Sequence, residues 1–137
     1  MRTTSETLFP VRFLATVGHF MATIMVFYTK DGNLIRAMPL RDISQYDAFN
    51  ASFVAALALT WICFSLEFAG MFLGLTLFNS GMNLIYILAH ISATISLSFF
   101  ITEAWNYYIY WYIFAFCNAI PEIMELIIIL SRRVLRL

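Results

Sequence analysis

Along the 137-residue chain, polar and charged positions withdraw to the ends and to one interior stretch, leaving four apolar segments. These run about Val11–Tyr28, Ser52–Leu77, Met82–Thr102 and Tyr108–Leu130. A hydrocarbon core of roughly 30 Å takes about 20 apolar residues in a helix, and each segment approaches or passes that length. The pattern predicts an all-α, four-helix transmembrane bundle forming one domain over residues 1–137, with a loop at about Thr29–Ala51.

The connections refine this. Phe78-Asn79-Ser80-Gly81 is short and rich in turn residues, so it should hold the second and third spans as an antiparallel hairpin. Small residues that let helices approach in lipid occur on both: Gly70-x-x-x-Gly74 on the second, Ala89-x-x-x-Ala93 and Ser92-x-x-x-Ser96 on the third. They read as an internal packing seam, with a dimer face as the alternative. Pro121 removes a backbone donor inside the fourth span, frees the Cys117 carbonyl and predicts a kink.

Composition supports the membrane reading. The hydrophobic fraction is 62% and the charged fraction 12%, against roughly 45–50% and 25% in soluble domains. The lipid bilayer is therefore the first partner. Net charge is zero and no basic run tracks a phosphate backbone, so nucleic acid is excluded. Lysine and arginine near span ends set topology. Arg2, Arg12, Arg132, Arg133 and Arg136 stand on the side of the termini, against Lys30, Arg36 and Arg41 opposite. This favours cytoplasmic termini and an extracellular loop. Trp105, Tyr107, Tyr108, Tyr110, Trp111 and Tyr112 read as an interfacial aromatic belt, with Tyr28 at the same level. The first span lacks a cleavage pattern and is expected to be retained. Cys63 and Cys117 lie inside spans as free, small hydrophobes. Asn50-Ala51-Ser52 matches the glycosylation pattern, but its closeness to the membrane predicts that it is unused.

Four ionisable residues, His19, Glu67, His90 and Glu122, fall deep within the segments, with Glu125 about a turn nearer the cytoplasmic side. At 1.5 Å per residue the four lie roughly 12–15 Å in, near the midplane. An isolated charge there costs about 2.5–3.5 kcal/mol on insertion scales, so pairing is expected. Glu67 with His90 is the favoured pair, because the short turn places their helices side by side; His19 and Glu122 would extend the network. The preferred reading is structural. The alternatives are a small proton- or ion-coupled transporter using this layer, and a metal site, though no H-E-x-x-H or second ligand at helical spacing supports a metal. No nucleophile–base spacing and no glycine-rich phosphate loop occur. The chain reads as a non-enzyme with no cofactor and no small-molecule substrate.

One longer block carries a resemblance. Phe78-Asn79-Ser80, His90, Ser92-Ala93, Leu97-Ser98-Phe99-Phe100-Ile101, Glu103 and Trp105 lead into Tyr110-Trp111-Tyr112-Ile113-Phe114, Phe116-Cys117, Ala119, Pro121 and Glu125. Earlier come Pro10, Arg12-Phe13-Leu14, His19, Asp31, Asn33, Pro39-Leu40, Tyr46-Asp47, Val54-Ala55-Ala56-Leu57, Glu67 and Ala69-Gly70. This pattern resembles the transmembrane protein 107 family over nearly the whole chain. The resemblance implies a small tetraspan protein of the ciliary transition zone. Such a protein would recruit or retain other membrane proteins and B9-domain proteins of the Meckel–Gruber module, supporting cilium assembly and gating of the ciliary membrane. It also implies that no catalytic residues are present. His19, Glu67, His90 and Glu125 coincide with the family pattern, and Glu122 does not.

Overall fold

The computed structural model describes residues 4–40, 42–77 and 79–135, with side chains from residue 6 onward. Arg2, Arg41 and Arg136 of the topology argument, and Phe78 of the expected turn, lie outside the described residues. Helix α1 spans Thr4–Arg36, α2 Tyr46–Phe72 and α3 Ser80–Thr102. Helix α4, Ile109–Phe114, passes through a π turn at Ala115–Ala119 into α5, Ile120–Val134, and together these make the fourth span. All four spans are long and apolar enough to cross a membrane, and the described residues contain no strand. The chain is a multi-pass membrane protein.

Contacts along the helices fix their directions. Arg12 meets Asn83 and His19 meets His90, a constant offset of 71 residues, so α1 and α3 run parallel. They form the closest helix pair in the bundle. Against α2 the partners of α1 run in reverse, with Arg12 and Thr16 at Glu67, Thr23 at Trp61 and Lys30 at Asn50. The expected close packing of α2 against α3 is therefore corrected: α1 occupies that place.

Each inner face repeats at three- and four-residue steps, the spacing of left-handed helix packing in membranes. On α1 the buried face is Arg12, Thr16, His19, Thr23, Val26 and Asn33; on α3 it is Asn83, Tyr86, His90, Ala93, Leu97 and Phe100. Large apolar side chains such as Leu14, Met25, Leu88 and Ile95 point outward instead. Lipid makes that arrangement favourable, because acyl chains solvate a leucine as well as a protein core does.

Element ends differ from the sequence reading. Much of the stretch taken as a loop at Thr29–Ala51 is helical, since α1 continues to Arg36 and α2 begins at Tyr46. Ties between the two helices support this: Tyr46 donates to Asp31 at 2.6 Å and Lys30 to Asn50 at 2.6 Å. Within the remaining connection, hydrogen bonds from Ser44 hold the Asp42 carboxyl below the ordinary aspartate range. Asn50 of the glycosylation pattern thus lies in a helical turn with its amide oxygen engaged. Treatment of the expressed protein with an N-glycosidase is expected to leave its mobility unchanged.

Helix α2 stops at Phe72, short of the predicted Leu77. Gly74 sits at φ +70°, where glycine is unhindered, and lets the Leu75 amide bond the Gly70 carbonyl while its own bonds Met71. Gly74 therefore ends the helix and does not pack within it. Asn79 is the cap of α3, accepting from the Met82 amide at 3.2 Å, so Ser80 and Gly81 belong to that helix and not to a turn. Thr102 ends α3 in the same way as α2, but the left-handed position there is Ala104 at φ +47°. Ala104→Gly is expected to stabilise the protein by about 0.5–1 kcal/mol, read as a raised thermal midpoint in detergent.

The interruption at Pro121 is taken up by the π turn just before it, which widens the hydrogen-bond ladder where a donor is missing. At the end of the bundle away from the termini, Phe49, Phe53, Phe100, Tyr107 and Tyr110 pack together. Tyr110 is 1% exposed and shares a 2.8 Å hydrogen bond with Thr60, so it belongs to the core and not to the aromatic belt. Tyr108 and Tyr112 remain exposed.

Candidate functional site: a buried polar column centred on Arg12

The strongest departure from the sequence reading is Arg12. Its position near the N-terminus suggested an interfacial cation, yet it is 0% exposed. Helix α1 begins at Thr4 and carries Arg12 two turns into the bundle. Four of the five guanidinium N–H groups are engaged. Nε donates to Glu67 Oε1 at 3.4 Å, one Nη to Thr76 at 3.2 Å and Asn83 at 2.9 Å, and the other Nη to Glu125 Oε2 at 3.3 Å. The guanidinium carbon also lies 4.0 Å from the centre of the Tyr86 ring, stacking charge on an aromatic face. One side chain thereby touches groups from α2, the α2–α3 connection, α3 and α5.

A chain of hydrogen bonds runs inward from Glu67. Thr16 donates to Glu67 Oε1 at 3.0 Å, and His90 Nε2 lies 2.8 Å from Oε2. His90 Nδ1 is in turn 2.8 Å from His19 Nδ1. With its Nε2–H turned to Glu67, His90 accepts at Nδ1 from the Nδ1–H of His19, which joins the two rings and the carboxylate in one chain. Phe64 packs against both imidazoles, at 4.9 Å from His19 and 5.9 Å from His90 between ring centres.

Glu67 and His90 thus meet, as does His19, while Glu122 stands apart. It receives a 3.3 Å hydrogen bond from Tyr86 and is hydrogen-bonded to neither histidine. Glu125 takes the central acidic place instead, with Thr76 donating to its other oxygen at 2.7 Å. Depth changes as well. Because α2 ends at Phe72, Glu67 is five residues from its end, which is about 7–8 Å and not the midplane. The polar groups form a column from Thr76 and Asn83 to His19, not a single layer.

The proposed packing residues also divide. Gly70 is buried, and a methyl group there would fall 2.8 Å from Glu125 Oε1, so its neighbour is a carboxylate of α5 and not α3. Ala93 is fully enclosed, whereas Ala89 and Ser96 are half-buried and Ser96 bonds its own helix at Ser92. Among the described residues, no three His, Cys, Asp or Glu side chains converge as metal ligands would. His19, His90 and Glu67 line neither the aromatic groove at Phe20 and Trp61 nor the cleft at Glu122.

Sequence reasoning missed Arg12, Thr16, Thr76, Asn83 and Tyr86. A signal for most of them existed. Arg12 and Thr16 precede His19 by seven and three residues, and Asn83 and Tyr86 precede His90 by seven and four, so each shares its histidine's helix face. Thr76 had no such signal, because it lies in the irregular connection.

Comparison with known proteins bears on the whole assembly. A family model described as "TMEM107: Transmembrane protein" matches residues 8–129. Transmembrane protein 107 of Homo sapiens is 42% identical over 120 residues, covering 87% of this chain and 86% of the human protein. The Danio rerio protein of that name is 37% identical over 131 residues, covering 95% and 97%. The Xenopus laevis protein is 34% identical over 127 residues, covering 92% and 91%. No solved structure matches the chain. The family match begins ahead of Arg12 and ends beyond Glu125, so the segment that builds the entire polar column belongs, with the rest of the chain, to the transmembrane protein 107 family.

Proposed function

We propose that this protein is a non-enzymatic membrane scaffold of the ciliary transition zone. In this reading it recruits or retains neighbouring transition-zone membrane proteins and B9-domain proteins of the Meckel–Gruber module, and so supports cilium assembly and membrane gating. Family membership supports the reading. The observation that carries it is the enclosure of Arg12, Glu67, His90 and Glu125 within one bundle. The polar groups join the protein's own helices, which leaves an apolar lateral surface available to other membrane proteins.

The orientation with cytoplasmic termini belongs to the same proposal. With Arg12 withdrawn from the interface, Arg2, Arg132, Arg133 and Arg136 still outnumber Lys30, Arg36 and Arg41. The test is imaging of a fluorescently tagged copy in ciliated cells at near-native expression. A band at the base of the cilium is expected, together with loss of neighbouring transition-zone proteins on depletion. A uniform plasma-membrane or endoplasmic-reticulum signal would defeat the proposal.

A further inference from the structure

Below the π turn, α5 no longer keeps close company with α2, which packs against α4 and the turn above it. A cleft of about 230 Å³ opens between α2 and α5 on the lateral face of the bundle. Its walls are Leu66, Ala69, Leu73, Leu75, Leu126 and Ile129, and Glu122 and Glu125 line it as well. The position is unusual for a membrane protein, since a carboxyl group facing acyl chains is costly.

The two carboxyls are not equivalent. Both oxygens of Glu125 are engaged, one by Arg12 and the other by Thr76. Glu122 is 7% exposed, and its Oε2 accepts a hydrogen bond from Tyr86 at 3.3 Å. Among the described residues Oε1 has no hydrogen-bond partner, and it belongs to a side chain that lines the cleft. Glu122 is one turn inside the level of Glu125, which itself meets Gly70 near the end of α2. The free acceptor is thus within about two turns of the end of the membrane helix.

We infer that this cleft binds a sterol, whose hydroxyl donates to Glu122 while its ring system lies against the leucine walls. The chemistry selects the ligand. A lone acceptor in a hydrocarbon setting calls for one donor. The remaining walls are apolar and offer no donor for the carbonyls of a diacylglycerol, the amide carbonyl of a ceramide or the phosphate of a phospholipid. A sterol carries one hydroxyl on an otherwise hydrocarbon body. The cleft holds one end of such a molecule and leaves the rest among the surrounding acyl chains. This inference requires the membrane setting and does not depend on a ciliary location.

The test uses the full chain in lipid nanodiscs with a photoreactive sterol bearing a free hydroxyl. Crosslinks are expected on the segments 66–75 and 122–129, and unlabelled sterol should compete for them. The 3-deoxy analogue and diacylglycerol should not. Glu122→Leu removes the acceptor and should weaken competable labelling by about tenfold or more. Ala69→Phe fills the cleft from its exposed side without touching the polar column, and should act similarly. Leu14→Phe, on the outer face of α1, should leave labelling unchanged. If Glu122→Leu fails to fold, Ala69→Phe decides alone. Labelling insensitive to Ala69→Phe, or competed equally by the 3-deoxy analogue or diacylglycerol, overturns the inference.

Discussion

Replacing Arg12 by leucine is expected to destabilise the bundle by about 3–5 kcal/mol, the range for removing one partner from a buried ion pair. The substitution strands Glu67 and Glu125 with their cation gone, and unties Thr76 and Asn83. Thermal unfolding of the purified protein in detergent measures the loss as a large drop in midpoint. Arg12→Lys should recover little of it, because a single ammonium cannot span four acceptors in a planar fork. The decisive companion is Arg12→Leu combined with Glu67→Gln and Glu125→Gln. Removing the charges together should restore much of the stability. A triple variant no better than Arg12→Leu alone would show that packing, and not charge balance, governs the site.

The second large effect is expected at Glu67. Glu67→Leu severs contacts to Arg12, Thr16 and His90 at once and should cost about 2–4 kcal/mol, the usual scale for breaking a buried network. A double-mutant cycle with His90→Leu isolates the pair. Coupling of about 1–3 kcal/mol is expected, with the double variant clearly less destabilised than the sum of the two single changes. Strict additivity would mean that His90 and Glu67 contribute independently and that the 2.8 Å contact between them carries no stability.

The four spans were readable in the sequence because lipid imposes length and composition on any helix that crosses it. The Glu67–His90 encounter was readable only in part. Its stated reason, adjacency of α2 and α3 through a short turn, does not match the geometry, in which α1 and α3 form the close pair. Two groups at similar depth met for a different reason. Arg12 was misplaced because a basic residue near the first span end carries the same pattern whether it faces headgroups or turns inward. Only its helical phase relative to His19 separates the two cases. Gly74 was misread for a related reason: the Gly-x-x-x-Gly spacing is the same whether the second glycine packs against a helix or ends one. The cap is fixed by backbone geometry that spacing does not encode. The choice of Glu125 over Glu122 depends on the phase of α5 beyond the π turn, since one inserted residue rotates the following helix by about a quarter to a third of a turn.

The sequence distance between Arg12 and its partners has a consequence for biosynthesis. The first span leaves the ribosome with its cation already in place, but the acidic residues that neutralise it are made 55 and 113 positions later. Until then a bare guanidinium in hydrocarbon is worth about 2.5–3.5 kcal/mol against insertion. The nascent first helix should therefore linger at the insertion machinery, or dip in and out of the bilayer, until the last span is threaded. A truncated product ending before Glu125 would keep that helix only partly compensated, and cellular surveillance would meet it as an unfinished protein.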